Sequence, residues 1–300
     1  MNRDLDQPWS RRAFLQAAAT ASGLMLAGQP KSRAEAPRGP LIDVSVNLSR
    51  WPLRRLPGDE PDRLVAKLRS HGVTQAWAGT FDGLLHKDLP AANARLADDC
   101  RQFGKGMLQP FGSINPTMPD WIEELRRCAQ VHHMRGIRLH PNYHGYPLND
   151  PRCERLLRQA TELNLIVQLA VVMEDERMMH PRLRVDPVDT EPLAAIVERT
   201  PGLRLVLLNA LRTVRGPRLS SLLGAGDVCV DLAMLEGVGG LDNLLTQTPA
   251  DRILFGSHAP LFYFESAELK LKESLLTTSQ AHAIRFENAT RLFAAARPRR

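Results

Sequence analysis

The sequence predicts an α/β fold of one domain, a (β/α)8 TIM barrel, on three observations. Eight short runs of apolar and β-branched residues recur along the chain, each nearly continuous in the way of strands buried on both faces. Segments with apolar residues three or four positions apart stand between them, the spacing of helices that cover a parallel sheet. The 300 residues, 43% of them hydrophobic, suffice for one large core, and no linker rich in glycine, serine or proline divides them.

Taken in order, the strands are LIDVSV (41–46), VTQAWAG (73–79), GMLQPFGSI (106–114), RGIRLH (135–140), LIVQLAVV (165–172), LRLVLL (203–208), DVCVDLA (227–233) and RILFG (252–256). Helical spacing is clearest in PDRLVAKLRSH (61–71), LPAANARLADDCRQF (89–103), PDWIEELRRCAQ (119–130), DPRCERLLRQATEL (150–163) and DTEPLAAIVERT (189–200). An open doubly wound sheet is the competing architecture. It calls for a glycine-rich phosphate turn, and neither G-x-G-x-x-G nor G-x-x-x-x-G-K occurs. GVGG at 237–240 lacks the third glycine of that spacing and reads as a loop or helix entry.

Ahead of the barrel, SRRAFLQ (10–16) sets a twin-arginine pair before an apolar run, AAATASGLMLAG (17–28), with small residues at Ala34 and Ala36. This reads as an export signal over residues 1–36, cleaved after Ala34 or Ala36, leaving a barrel domain at 37–300. The run is too short to span a bilayer, so no stable membrane span is expected after cleavage; an N-terminal anchor helix is the alternative. The signal resembles that of the Tat pathway. That resemblance implies passage through the Tat machinery as a folded protein, a periplasmic or extracellular location, and room for a cofactor inserted beforehand.

The formal charge is +6, and five basic against three acidic residues fall in positions 1–36, leaving +4 for the rest. So small an excess describes a solvated surface. The tail RPRR (297–300) reads as a solvated terminus, and no basic run is interleaved with aromatics, so no nucleic-acid partner is expected. Cys100, Cys128, Cys153 and Cys229 form no C-x-x-C pair; one disulfide among the three helix-borne cysteines and buried free thiols are both open.

Chemistry in such barrels sits where strands end. Those ends present Asn47 and Arg50, Thr80 and Asp82, Asn115, His140 with Tyr143 and His144, Glu174 and Asp175, Asn209 with Arg212, Asp231 with Glu236, and His258. The strings IDVSVNLS, LPAANARLADDC, GIRLHPNYHGYPLNDPRCERLL, PGLRLVLLNA, RILFGSHAP and FENATRLF occur in an order and spacing that resembles the amidohydrolase superfamily, from Leu41 to Phe293. The branch resembled is the amidohydrolase-related one, which includes decarboxylases and lactone hydrolases. The resemblance implies a divalent metal, usually zinc, that polarises a substrate oxygen or activates water. It also implies H-x-H on strand one, histidines ending strands five and six, and an aspartate on strand eight. This chain has Ser45 and Asn47, Ala170, Asn209 and His258 at those positions. All five depart from the pattern, so the expectation is a degenerate metal site, with no cofactor assigned and a metal only at a relocated site.

Strand alternation predicts that Asp43, Ser45 and Asn47 point into the barrel. Asp43 reads as either a hydrogen-bonded buried carboxylate or a base. The catalytic candidates are His258, His140, Asp43 and Glu174; convergence of the two histidines with Glu174 or Asp231 would make a relocated metal site. Asn47, Arg50, Tyr143, His144, Asn209, Arg212 and Asp231 are the candidate substrate-binding groups. The loop VVMEDERMMHPRLRVDP (171–187) is either a solvated charge run or a lid. Three functions follow: an exported amidohydrolase-like enzyme acting on a small polar or carboxylated molecule, a catalytically silent barrel binding a ligand or partner, or a metal enzyme with a relocated centre.

Overall fold

The protein is described by a computed structural model over residues 39–296; the predicted export signal and the RPRR tail lie outside the described residues. The strands are β1 Leu41–Leu48, β2 Val73–Thr80, β3 Leu108–Ser113, β4 Gly136–Leu139, β5 Ile166–Ala170, β6 Arg204–Leu208, β7 Asp227–Asp231 and β8 Ile253–Leu254. They form one eight-stranded sheet in sequence order, each strand parallel to the next. All eight predicted strands are present, the last cut to two residues. The seam with β1 is carried instead by Val44 N donating to Phe255 O (2.9 Å) and Asn47 N donating to Ala259 O (2.8 Å).

The covering helices are α1 Pro61–Ser70, α2 Asp82–Leu85, α3 Leu89–Asp99, α4 Trp121–Gln130, α5 Pro141–His144, α6 Pro151–Glu162, α7 Leu193–Glu198, α8 Gly216–Gly224, α9 Gly240–Leu245, α10 Phe264–Glu273, α11 Thr278–His282 and α12 Asn288–Ala295. Their starts are chemically marked. Asp88 caps α3 through Ala91 N, Asp150 caps α6 through Arg152 N, and Thr277 with Gln280 forms a capping box on α11. Among the described residues no helix is long and apolar enough to cross a membrane. The four cysteines are free and buried.

The barrel axis has three layers. At the bottom, Ile42, Val44, Trp77, Phe111, Ile166 and Val206 pack together, closed from below by Ala289 and Leu292 of α12. At the top, Trp51, Phe81, Leu84, Ala170, Met173 and Leu261 form an apolar cap drawn from several strand-end loops. Between them lies a polar layer.

The prediction that Asp43, Ser45 and Asn47 share the inward face is corrected here. The pairing of β1 with β2 shifts register between Asp43 and Val46, so the interior set runs through Ile42 and Val44 before resuming at Asn47. Asp43 is used at the seam, its Oδ1 accepting from Ser45 N and from Ser257 N, both at 3.0 Å. A carboxylate oxygen there replaces ladder bonds that a two-residue β8 does not supply.

Candidate functional site

The polar layer is built around Arg138, a β4 residue that is fully buried. Burial of a guanidinium costs several kcal/mol, on the order of 3–5, unless its hydrogens are bonded. Here Nε donates to Gln168 Oε1 (2.8 Å), Nη1 to Asn47 Oδ1 (2.8 Å) and Val46 O (3.0 Å), and Nη2 to Trp77 O (3.1 Å). Gln168 Nε2 passes the network on to Val44 O (2.7 Å). Gly79 leaves the room: a Cβ there would stand 2.5 Å from Arg138 Nη1. Burial lowers the Arg138 pKa to about 10, offset by Asp231 and Asp43, so the guanidinium stays charged at neutral pH.

His258 sits beside Asn47 and Asn209. Its Nε2 donates to Met173 O (2.7 Å), which puts the ring proton on Nε2 and leaves Nδ1 to accept from Asn47 Nδ2 (3.3 Å). Asn209 Nδ2 lies 3.3 Å from Nε2 but donates to Val172 O at 2.7 Å. Asn209 N donates to Asp231 Oδ1 (2.8 Å). Asn209 and His258 both hold left-handed backbone, φ 57° each. Asparagine tolerates this readily, whereas in histidine such backbone is uncommon and marks strain held by its surroundings. Burial, and then the Arg138 charge, bring the His258 pKa down to about 4, with the Met173 carbonyl opposing. Burial raises Asp231 to about 7 and Asp43 to about 6. At the axis both nitrogens of His258 are engaged, while Asn209 Oδ1 and Asp231 Oδ2 are buried without a hydrogen-bond partner.

The β3–β4 side differs. Ser113 Oγ donates to Gly83 O (3.2 Å), so its contact with His140 Nδ1 (3.3 Å) is one in which Nδ1–H donates to the hydroxyl. His140 Nε2 is then a buried lone pair without a hydrogen-bond partner. Burial and the neighbouring charges of His144, Arg138 and His258 push its pKa well below the usual histidine range. The rings of His140 and His144 meet edge-on, centroids 5.8 Å apart, and His144 Nε2 donates to Gly83 O (2.8 Å). Asn93 fixes Ser113 from behind: its Oδ1 accepts from Ser113 N (2.7 Å) and its Nδ2 donates to Ser113 O (2.9 Å). A cavity of about 180 Å³ opens on this side, with Leu84, His86, Lys87, Asn115, Tyr143 and His144 among its walls.

The other sequence candidates are dispersed. Glu174 is buried and ion-paired with Arg54, which ties the β1 and β5 loops together across the cap. Tyr143 is raised by burial and by the Glu174 charge. Arg212 lies among carboxylates, 3.3 Å from Asp175, 3.0 Å from Glu176 and 3.8 Å from Glu236. Arg50 is exposed. Of the loop 171–187, the first four residues are buried and the charged middle faces water. His258 and Asp231 share Asn209 as a neighbour, while Glu174 is held by Arg54 and His140 by Ser113. Among the described residues no three His, Cys, Asp or Glu side chains come together as a metal centre.

Sequence reasoning missed Arg138, Gln168 and Ser113. The signal was present in RGIRLH: Arg138 stands two residues before His140 and therefore shares its inward face.

A family model described as Amidohydrolase matches residues 42–295. No curated protein matches the chain. Among solved structures, 2,6-dihydroxybenzoate decarboxylase from Rhizobium aligns with a TM-score of 0.64 at 14% identity, covering 85% of this chain and 98% of that one. 5-Carboxyvanillate decarboxylase from Novosphingobium aromaticivorans, with bound manganese, aligns at 0.66 and 14%, covering 87% and 99%. Dihydroxybenzoic acid decarboxylase from Polaromonas, also with manganese, aligns at 0.66 and 13%, covering 85% and 97%. At such identities the likeness establishes the fold alone.

Proposed function

Because the chain belongs to the amidohydrolase family, we propose that it is an exported, hydrolase- or decarboxylase-like enzyme that works on a small carboxylated molecule without a metal at the barrel axis. The residues at the axis do not fit the manganese that the neighbours hold. Asn47 and Asn209 are neutral amides, both His258 nitrogens are engaged, and Asp231 holds a proton near neutrality. The Arg138 guanidinium, 2.8 Å from Asn47 Oδ1, adds a positive charge that repels any cation placed there. No step is therefore routed through a metal.

The observation that carries the reading is the bare Nε2 of His140. Ser113 fixes the tautomer and the ring is neutral; His258 has both nitrogens engaged, while His144, whose Nε2 donates to Gly83 O, leaves its Nδ1 bare beside His140. Burial makes a proton on that nitrogen costly, so the imidazolium formed during turnover needs an adjacent negative charge. A substrate carboxylate supplies it, and Lys87 and Asn115 in the neighbouring cavity are suited to hold that group. His140 is the base in this scheme: it takes a proton from the water that attacks the substrate carbonyl and returns it to the leaving oxygen as the acyl–oxygen bond breaks. His144 and Tyr143 orient the substrate, and the apolar cap keeps water from the axis.

Chelator-treated protein should be assayed on a panel of hydroxybenzoates and simple lactones. The expected result is turnover that survives chelation and is lost in His140→Gln. Turnover restored only by added manganese would overturn the metal-free reading. The buried axial network favours one alternative, a barrel that binds its ligand without reaction, for which tight binding with no turnover would decide. Export, proposed from the twin-arginine leader, is tested by Arg11→Lys with Arg12→Lys, expected to leave the precursor in the cytoplasm.

A further inference from the structure

A second cavity, of about 110 Å³, lies beside the first and is walled by Leu89, Pro90, Ile114, Met118 and Trp121. Its charged lining is unlike that of its neighbour: Asp88, Asp120 and Glu124 against Lys87 alone. Glu124, on the first turn of α4, is 4% exposed. Its Oε1 accepts from Asn93 Nδ2 (2.8 Å) and from the Cys128 thiol (3.5 Å). Its Oε2 is buried and has no hydrogen-bond partner. The half-exposed Arg127 guanidinium comes no nearer to Oε2 than 3.6 Å, beyond hydrogen-bond distance.

A buried carboxylate oxygen without a donor is costly, on the order of 1–3 kcal/mol or more for a charged group. A ligand that donates to it recovers that cost. An anion does not qualify, because three carboxylates line the space. A metal ion is poorly matched, since half of the walls are apolar and among the described residues no three His, Cys, Asp or Glu side chains come together to hold one. An ammonium group on a short hydrocarbon meets both demands, its N–H groups facing Glu124 and its chain lying along Met118 and Trp121. We propose that this cavity is a binding site for a small organic ammonium compound, with the Glu124 carboxylate at its base. The site shares Lys87, Leu89, Asn115 and Met118 with the neighbouring cavity, but Asp120, Trp121 and Glu124 line it and not the neighbour, so its preference for an ammonium group holds whether or not the barrel is catalytic.

The test is calorimetric titration of the intact protein with propylammonium, with propionate as the matched anion. Propylammonium should bind, and any binding of propionate, to which Lys87 and Asn115 of the neighbouring cavity are suited, should be unchanged by Glu124→Gln. Glu124→Gln keeps an oxygen for Asn93 while removing the charge, and should weaken propylammonium at least tenfold. Equal binding of propylammonium to wild type and Glu124→Gln, no binding of propylammonium, or propionate weakened as much as propylammonium by Glu124→Gln would overturn the proposal. Should Glu124→Gln not fold, Asp120→Asn serves. Asp120 is exposed and makes no side-chain cap, and its loss should weaken propylammonium about threefold by removing a rim charge; unchanged affinity there would also refute the site.

Discussion

His258 and His140 close two strands of one barrel, and their surroundings assign them opposite work. His258 is locked on both nitrogens, by Met173 O and by Asn47 Nδ2. His140 is locked on one, by Ser113, and carries a bare lone pair on the other. Burial keeps both neutral at pH 7, so the difference is not one of charge. It is one of vacancy at nitrogen, and on the proposed function it separates a structural centre on the axis from a reactive one beside it.

The largest effect expected is at the axis. Arg138→Ala strands Gln168 Oε1, Asn47 Oδ1 and two strand carbonyls together, and should destabilise the fold by about 3–5 kcal/mol in urea unfolding. A loss under about 1 kcal/mol would mean that the polar layer is solvated rather than sealed. On the other side, His140→Gln should cost little stability but lower turnover by roughly 10²–10⁴, the usual contribution of a positioned base. His258→Ala should reverse that division, with about 2–3 kcal/mol of stability lost through unpaired groups and a cavity. The folded fraction of His258→Ala should keep its pH profile of activity, and a shifted profile would move the reactive centre back to the axis.

How far the sequence carried this comparison depends on what each residue answers to. Near-continuous apolar runs such as LRLVLL made the parallel barrel legible, since strands buried on both faces permit little else. Strand ends told which side chains surround the mouth, and Asn47, Asn209 and His258 do meet there. The inward place of Asn47 was legible, but that Ile42 and Val44 rather than Asp43 and Ser45 share its face was not, because the register shift between Asp43 and Val46 breaks the alternation that sequence reading assumes. Nor was the Arg54–Glu174 pair, which joins two loops with no spacing in common. Arg138 was legible by alternation alone, but a charged residue in a strand reads as exposed until its acceptors are known.

The smallest effect tests the charge state of the axis. Burial raises Asp231 to about 7 from 3.8. Between those values the folded chain keeps a proton that the unfolded chain has released. The stability from this group is therefore complete below about pH 4 and lost as pH rises through 7. Asp43, raised to about 6, acts in the same sense. His258, lowered to about 4 from 6.5, acts in reverse: its contribution is present above 6.5 and lost as pH falls through 4. Across pH 4 to 6 the two raised acids are opposed by His258 and by His140, which burial also lowers, so their slopes offset in a way that one substitution exposes. Asp231→Asn preserves the acceptor for Asn209 N while removing an acid, and should gain on wild type by on the order of 1 kcal/mol between pH 6 and 7.5. Urea midpoints at the two pH values measure it. A difference that is flat or of opposite sign would mean that Asp231 is ionised in the folded chain. Arg138 would then face an anion across the axis, and the network around His258 would be an ion pair with room for a ligand rather than a neutral seal.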